Sequence, residues 1–163
     1  IPEDDYEGPK LPYFLVTYHS GIRGAAIGAG FGAVGCAAIA GLKSARGTLP
    51  GGISAGSYIY TRACGYMRGG TVLFGLVGAG LAVARLNSVD EDGVEDRAFR
   101  LKFNAMQNKI DRALALGAGG GLVIGALAAT LRGGRVARGA GCGVPVGMLL
   151  SMAALGAKPD LPI

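Results

Sequence analysis

The 163-residue sequence has no tryptophan, one histidine (His19) and three cysteines (Cys36, Cys64 and Cys142). So few soft ligands, at such spacings, leave no zinc or iron–sulfur ligand set, and an odd number of thiols excludes a fully paired disulfide scaffold. Charge is scarce as well: 17% of the residues are Asp, Glu, Lys or Arg, against about a quarter in ordinary soluble domains. Half of the residues are hydrophobic and the mean hydropathy is +0.41, which excludes a disordered tail. What the chain has in abundance is glycine, 31 residues of it.

A helix that crosses about 30 Å of hydrocarbon needs roughly 20 mainly apolar residues. Four stretches meet that need, at residues 22–42, 64–85, 113–131 and 137–157. The second is uncharged only from Gly69 to Ala84, so its start near Cys64 requires Arg68 to reach back to the headgroups along its methylene stem. Four such helices with almost no polar face would leave a soluble fold without an exterior. The expected fold is an all-α membrane protein: a single membrane domain over residues 1–163 with four transmembrane helices in a glycine-rich bundle. An extended, proline-punctuated and aromatic N-terminal arm is expected over residues 1–21, with Tyr6, Pro9, Pro12, Tyr13, Phe14 and Tyr18 at the interface. The opening Ile1-Pro2-Glu3-Asp4-Asp5 is acidic where a secretory signal is basic, so none is expected there.

The charges divide by loop. The first loop and the start of the second span carry Lys43, Arg46, Arg62 and Arg68, and the third loop and the start of the fourth span carry Arg132, Arg135 and Arg138, with no acidic residue in either stretch. By the positive-inside rule these loops face the cytoplasm or matrix and both termini face outward. Lys43, Arg46, Arg68, Arg132, Arg135 and Arg138 are candidates for contact with lipid headgroups, and the net charge of +5 reads as topology and anionic-lipid contact rather than nucleic-acid binding.

In a bilayer, helices gain little by hiding apolar surface from one another and associate through close packing at small residues. Residues four apart share a helix face, and the glycines follow that spacing: Gly24, Gly28 and Gly32 in the first span, Gly75 with Ala79 in the second, Gly117, Gly121, Gly125 and Ala129 in the third, Gly139, Gly143, Gly147 and Ser151 in the fourth. One such pair arises readily by chance in so glycine-rich a chain, but rows of three or four in three spans point to a tight bundle. Pro145 removes a backbone donor inside the fourth span and is expected to kink it. No acidic or histidine side chain falls in the middle of a span, which argues against a pump or secondary transporter.

Other patterns carry less. Gly30-Phe31-Gly32-Ala33-Val34-Gly35 matches G-x-G-x-x-G, but that motif binds pyrophosphate only between a strand and a helix start, and here it lies inside a span. His19 stands without an obvious partner, and Asp90, Glu91, Asp92, Glu95 and Asp96 lack the alternating oxygen ligands of a calcium loop, so a solvated acidic loop is expected. From Arg97 to Arg112 the second loop reads as partly helical, with Phe99, Phe103, Met106 and Ile110 on one face, suited to the headgroup plane or to a partner. Cys36 and Cys142 fit as small apolar residues, and a Cys36–Cys64 bridge would need their backbones within about 7 Å.

The run Asp111 to Gly125, the Tyr18-His19-Ser20 approach to the first span and the stretch Gly65 to Ala84, together with four glycine-rich spans and a basic first loop, resemble the mitochondrial inner-membrane translocase (Tim) family over roughly residues 18 to 157. Some members of that family form protein-import translocases; another is an accessory subunit of respiratory complex I, NADH:ubiquinone oxidoreductase, and the present chain is more similar to the latter. Its second loop, Asn87 to Asp111, is longer than the animal pattern. The resemblance implies a non-catalytic subunit of the mitochondrial inner membrane with both termini in the intermembrane space. It also implies contact with membrane-arm subunits of complex I, including antiporter-like core subunits, and with cardiolipin or another phospholipid. No catalytic residue, cofactor, metal or nucleic-acid partner is expected of the chain itself; the alternative is a subunit of a protein-import translocase.

Overall fold

In a computed structural model, the structure describes residues 11–131 and 133–157. Five α-helices follow one another: α1 (Pro12–Ala45), α2 (Ala55–Leu86), α3 (Glu91–Phe103), α4 (Ala105–Leu131) and α5 (Val136–Ala157), with a single 3-10 turn at Pro50–Gly52 and no strand among the described residues. α1, α2, α4 and α5 are each long and apolar enough to cross a membrane. The four spans expected from the sequence each fall inside one of them.

Local chemistry sets the ends. Pro12 opens α1, where its missing N–H costs nothing. Gly47, at φ +63°, takes the left-handed turn that lets Thr48 N–H donate to the Lys43 carbonyl at 2.9 Å and close the helix. Ser54 caps α2 by accepting from Ser57 N–H at 3.2 Å, and Asp90 caps α3 by accepting from Gly93 N–H at 3.1 Å. At the turn between α4 and α5, Gly133 has φ +63° and Gly134 N–H donates to the Ala129 carbonyl at 2.7 Å.

Several boundaries differ from the sequence reading. The N-terminal arm is not extended through residue 21, because α1 already begins at Pro12; Tyr6 and Pro9 lie outside the described residues. α2 begins at Ala55 rather than near Cys64, since the Ser54 cap starts the helix three turns before the apolar run does. At about 51 Å and 48 Å, α1 and α2 are longer than the hydrocarbon they would cross. The acidic stretch is not a loop: Asp90 is the cap and Glu91 and Asp92 fill the first turn of α3, where the helix dipole favours them. The amphipathic segment from Arg97 to Arg112 is broken at Asn104, which leaves helical geometry and restarts the chain as α4 by accepting from Gln107 N–H at 3.0 Å. Phe99 and Phe103 therefore stay on α3, whereas Met106 and Ile110 belong to α4. α5 runs through the buried Pro145 as a single helix.

The molecule consists of two antiparallel hairpins, α1 with α2 and α4 with α5, each closely packed along its length; contacts between the hairpins are sparse, and α3 bridges α1 and α4. The packing is inverted relative to a soluble protein. The buried residues are mostly small, such as Ala26, Ala29, Cys36 and Ala40, while Phe31, Leu76, Ile124 and Leu150 stand exposed. That is the arrangement required when the surrounding solvent is hydrocarbon. Between the hairpins, Ala26 of α1, Leu114 of α4 and Met148 of α5 form a small core with Ile22, Ile110 and Val144 around it.

Candidate functional site: glycine seams, a polar clasp and a lateral groove

The glycine rows meet one another. In the α4–α5 hairpin a Cβ placed on Gly117, Gly121 or Gly125 would lie 2.9, 2.8 or 2.9 Å from the carbonyl carbon of Gly147, Gly143 or Gly139 respectively, closer than real Cβ atoms come. Ala129 and Ser151 extend the same seam: a Gly139 Cβ would fall 2.5 Å from the Ala129 Cβ, and a Gly117 Cβ 2.6 Å from Ser151 Oγ. In the α1–α2 hairpin, Gly24, Gly28 and Gly32 face Phe74, Gly70 and Met67, with a Gly28 Cβ 2.6 Å from the Gly70 carbonyl carbon. The nine glycines of the rows on α1, α4 and α5 thus pack backbone against backbone. On α2, however, the row that meets α1 most closely runs through Gly70, Phe74 and Gly78; Gly75 and Ala79 lie beside it at looser distances. Spacing of four identified a face on α2 but chose the neighbouring one. The matching G-x-G-x-x-G sits mid-helix in α1, with Gly30 and Gly35 facing open space and Gly32 in the seam.

His19 is not alone. Its Nδ1 is hydrogen-bonded to the Asp111 carboxylate, whose other oxygen accepts from Arg23 Nε at 3.1 Å. Arg23 also points Nη2 at the Gln107 carbonyl, 3.5 Å away. The His19 and Asp111 side chains are each 14% exposed, so this clasp is largely withdrawn from solvent. It joins α1 to α4 across 92 positions of sequence, a distance over which no local pattern operates; the only signal was that His19, Arg23 and Asp111 lie near the same-side ends of their spans. In contrast, Asp96 and Arg100 form an exposed pair at 2.9 Å within α3.

The basic residues at the opposite end divide into groups. Lys43 Nζ lies 3.4 Å from Tyr58 Oη and 5.0 Å above that ring, tying the end of α1 to the start of α2. Arg46 is exposed where α1 ends. The Arg68 side chain crosses to α5, with Cδ 3.0 Å from the position of a Gly141 Cβ. Arg135 and Arg138 border a lateral groove of about 970 Å³. Arg132 lies outside the described residues.

That groove runs along the α4–α5 seam, past Ile124, Gly125 and Val146 to Leu150, with Cys64 of α2 on one side. Its lining is apolar apart from Arg135 and Arg138 at one end, the thiols of Cys64 and Cys142, and Ser151 towards the other end. Its volume is at the upper end of ordinary ligand pockets, about 300–1,000 Å³. The charge at one end and the apolar length beyond it suit an amphiphile with an anionic head. Among the described residues no three His, Cys, Asp or Glu side chains gather where a metal could be held. All three cysteines are free: Cys36 is buried against Ala40 and Tyr58, and Cys64 sits by Cys142 rather than bridged to Cys36.

The model of DUF1757, described as a protein of unknown function, matches residues 9–154. No curated protein and no solved structure matches the chain.

Proposed function

The chain belongs to the DUF1757 family, and we propose that it acts as a non-catalytic structural subunit of a larger membrane assembly, the membrane arm of mitochondrial respiratory complex I in the inner membrane. The observation that carries the structural role is the pair of glycine seams, in which Gly28 meets Gly70 and Gly121 meets Gly143. Such seams serve close approach of helices and leave the large apolar side chains on the outside, available to lipid and to neighbouring subunits. The choice of complex I rests on the resemblance of residues 18–157 to the Tim-family accessory subunit. In this reading antiporter-like core subunits cover part of the apolar exterior. Phospholipid, cardiolipin among it, fills the groove, with its phosphates at Arg135 and Arg138 and neighbouring headgroups at Lys43, Arg46 and Arg68. Both termini face the intermembrane space.

Mild-detergent native electrophoresis of mitochondrial membranes, with an antibody to this chain and an in-gel NADH dehydrogenase stain, tests it. Co-migration with the active complex I band is expected; migration in a smaller, inactive band overturns it. In membranes carrying Gly121→Leu, the complex I band is expected to be depleted.

The lateral groove favours a second reading, a protein-import translocase subunit whose groove between α2, α4 and α5 admits a segment of a client protein. That reading expects depletion of the chain to block import of carrier proteins while assembled complex I initially persists.

A further inference from the structure

Two thiols, Cys64 and Cys142, line the groove, and the packing and lipid roles proposed above give them no chemistry of their own. Cys64 and Arg68 are one turn apart and share a face of α2. From that face the Arg68 side chain reaches α5, where its Cδ lies 3.0 Å from the position of a Gly141 Cβ. Cys142 follows Gly141 directly, and Cys64 and Cys142 line the same groove as interacting neighbours. Both are partly exposed, whereas Cys36 is buried inside the α1–α2 hairpin.

We propose that Cys64 and Cys142 form a reversible disulfide that fastens the α1–α2 hairpin to the α4–α5 hairpin, made by exchange with a donor disulfide. One chain thiolate attacks the donor, forming a mixed disulfide and releasing the first donor thiol; the second chain thiolate then attacks the chain sulfur of that mixed disulfide and releases the second donor thiol. The chain gives up two electrons and two protons, and the donor disulfide takes up both to become two thiols.

The location gives the bond its effect. Each hairpin is closed internally by its own glycine seam, but the two touch one another at few points. The clasp of His19, Arg23 and Asp111 ties them at one end. Cys64 and Cys142 lie towards the other end, near the α1–α2 and α4–α5 turns, where the Arg68 side chain already crosses between hairpins. Oxidation therefore pins the second end and fixes the groove's width; reduction leaves that end held by packing alone. The proposal is independent of the host assembly.

Full-length protein purified in detergent under reducing conditions, then freed of reductant and incubated with oxidised glutathione, provides the test. The intact chain is expected to become lighter by two hydrogens, and a proteolytic peptide pair joining Cys64 to Cys142 to appear and to vanish with reductant. Cys36→Ser is expected to retain that link. Cys64→Ser and Cys142→Ser are expected to lose it, and the remaining groove cysteine to hold glutathione as a mixed disulfide. A wild-type chain that does not react, that stops at the mixed disulfide, or that links Cys36 to either partner overturns the proposal.

Discussion

Gly121 and Gly143 approach so closely that neither could carry a side chain: a Cβ on Gly143 would lie 2.6 Å from the Gly121 carbonyl carbon, and one on Gly121 would lie 2.8 Å from the Gly143 carbonyl carbon. Both obstacles are backbone, which cannot rotate away as a side chain can. Gly121→Ala is therefore expected to destabilise the α4–α5 hairpin by about 2 kcal/mol or more, at or beyond the middle of the usual range for overpacking. Gly119→Ala, where the added methyl meets nothing within 4 Å, is expected to be neutral or to stabilise by up to about 1 kcal/mol through helix propensity. Unfolding midpoints of the two variants in the same mixed micelles check the difference; equal midpoints would refute the seam.

The polar clasp should behave differently from the exposed ion pair on α3. Asp111→Asn leaves His19 and Arg23 facing an amide instead of a carboxylate in a largely buried setting, and is expected to cost roughly 1–3 kcal/mol. Arg100→Gln, which removes the exposed partner of Asp96, is expected to cost under about 0.5 kcal/mol. A double-mutant cycle between Asp111→Asn and Arg23→Gln measures the coupling directly; additive losses would mean that the two side chains do not act as a unit.

Asn104 sets the junction between α3 and α4 through its side-chain acceptor and the hydrogen bond from Asn108 N–H to its carbonyl at 3.0 Å. Asn104→Ala is expected to cost about 1 kcal/mol as a lost cap. Amide exchange of Gln107 should accelerate while that of the seam residues, far along α4, does not; unchanged exchange at Gln107 would count against the cap.

If the groove holds an anionic phospholipid by its phosphate, Arg135→Gln combined with Arg138→Gln should reduce the phospholipid that survives purification, as read by native mass spectrometry in cardiolipin-containing micelles. We expect at least a tenfold loss of the lipid-bound species, about 1.4 kcal/mol. Arg100→Gln, on α3 and outside the groove lining, is expected to leave binding unchanged. Retention of lipid by the double variant would remove the phosphate from that end of the groove.

Much of this architecture was legible in the sequence because the relevant constraints are local. A helix is 3.6 residues per turn, so Gly117, Gly121 and Gly125 had to form one face whatever they met. The same reasoning failed on α2, where glycines and alanines occupy more than one face. There the choice between Gly75 with Ala79 and Gly70 with Gly78 depended on the rotation of α2 about its own axis, which packing against α1 settles. The early start of α1 at Pro12 and of α2 at Ala55 escaped for another reason: a hydropathy window finds the membrane-deep part of a helix, while capping chemistry at Pro12 and Ser54 decides where the helix begins.

The apolar length of α1, α2, α4 and α5, their glycine faces and the gathering of basic residues in two loops follow from the order of residues alone, because hydrophobic run length and helical period are properties of contiguous chain. Which face meets which partner, that His19 finds Asp111, that Cys64 lies beside Cys142 and not bonded to Cys36, and that a groove opens along the α4–α5 seam were decided only in three dimensions. Those relationships join residues tens of positions apart, and only the packing of helix on helix and of hairpin on hairpin brings them together.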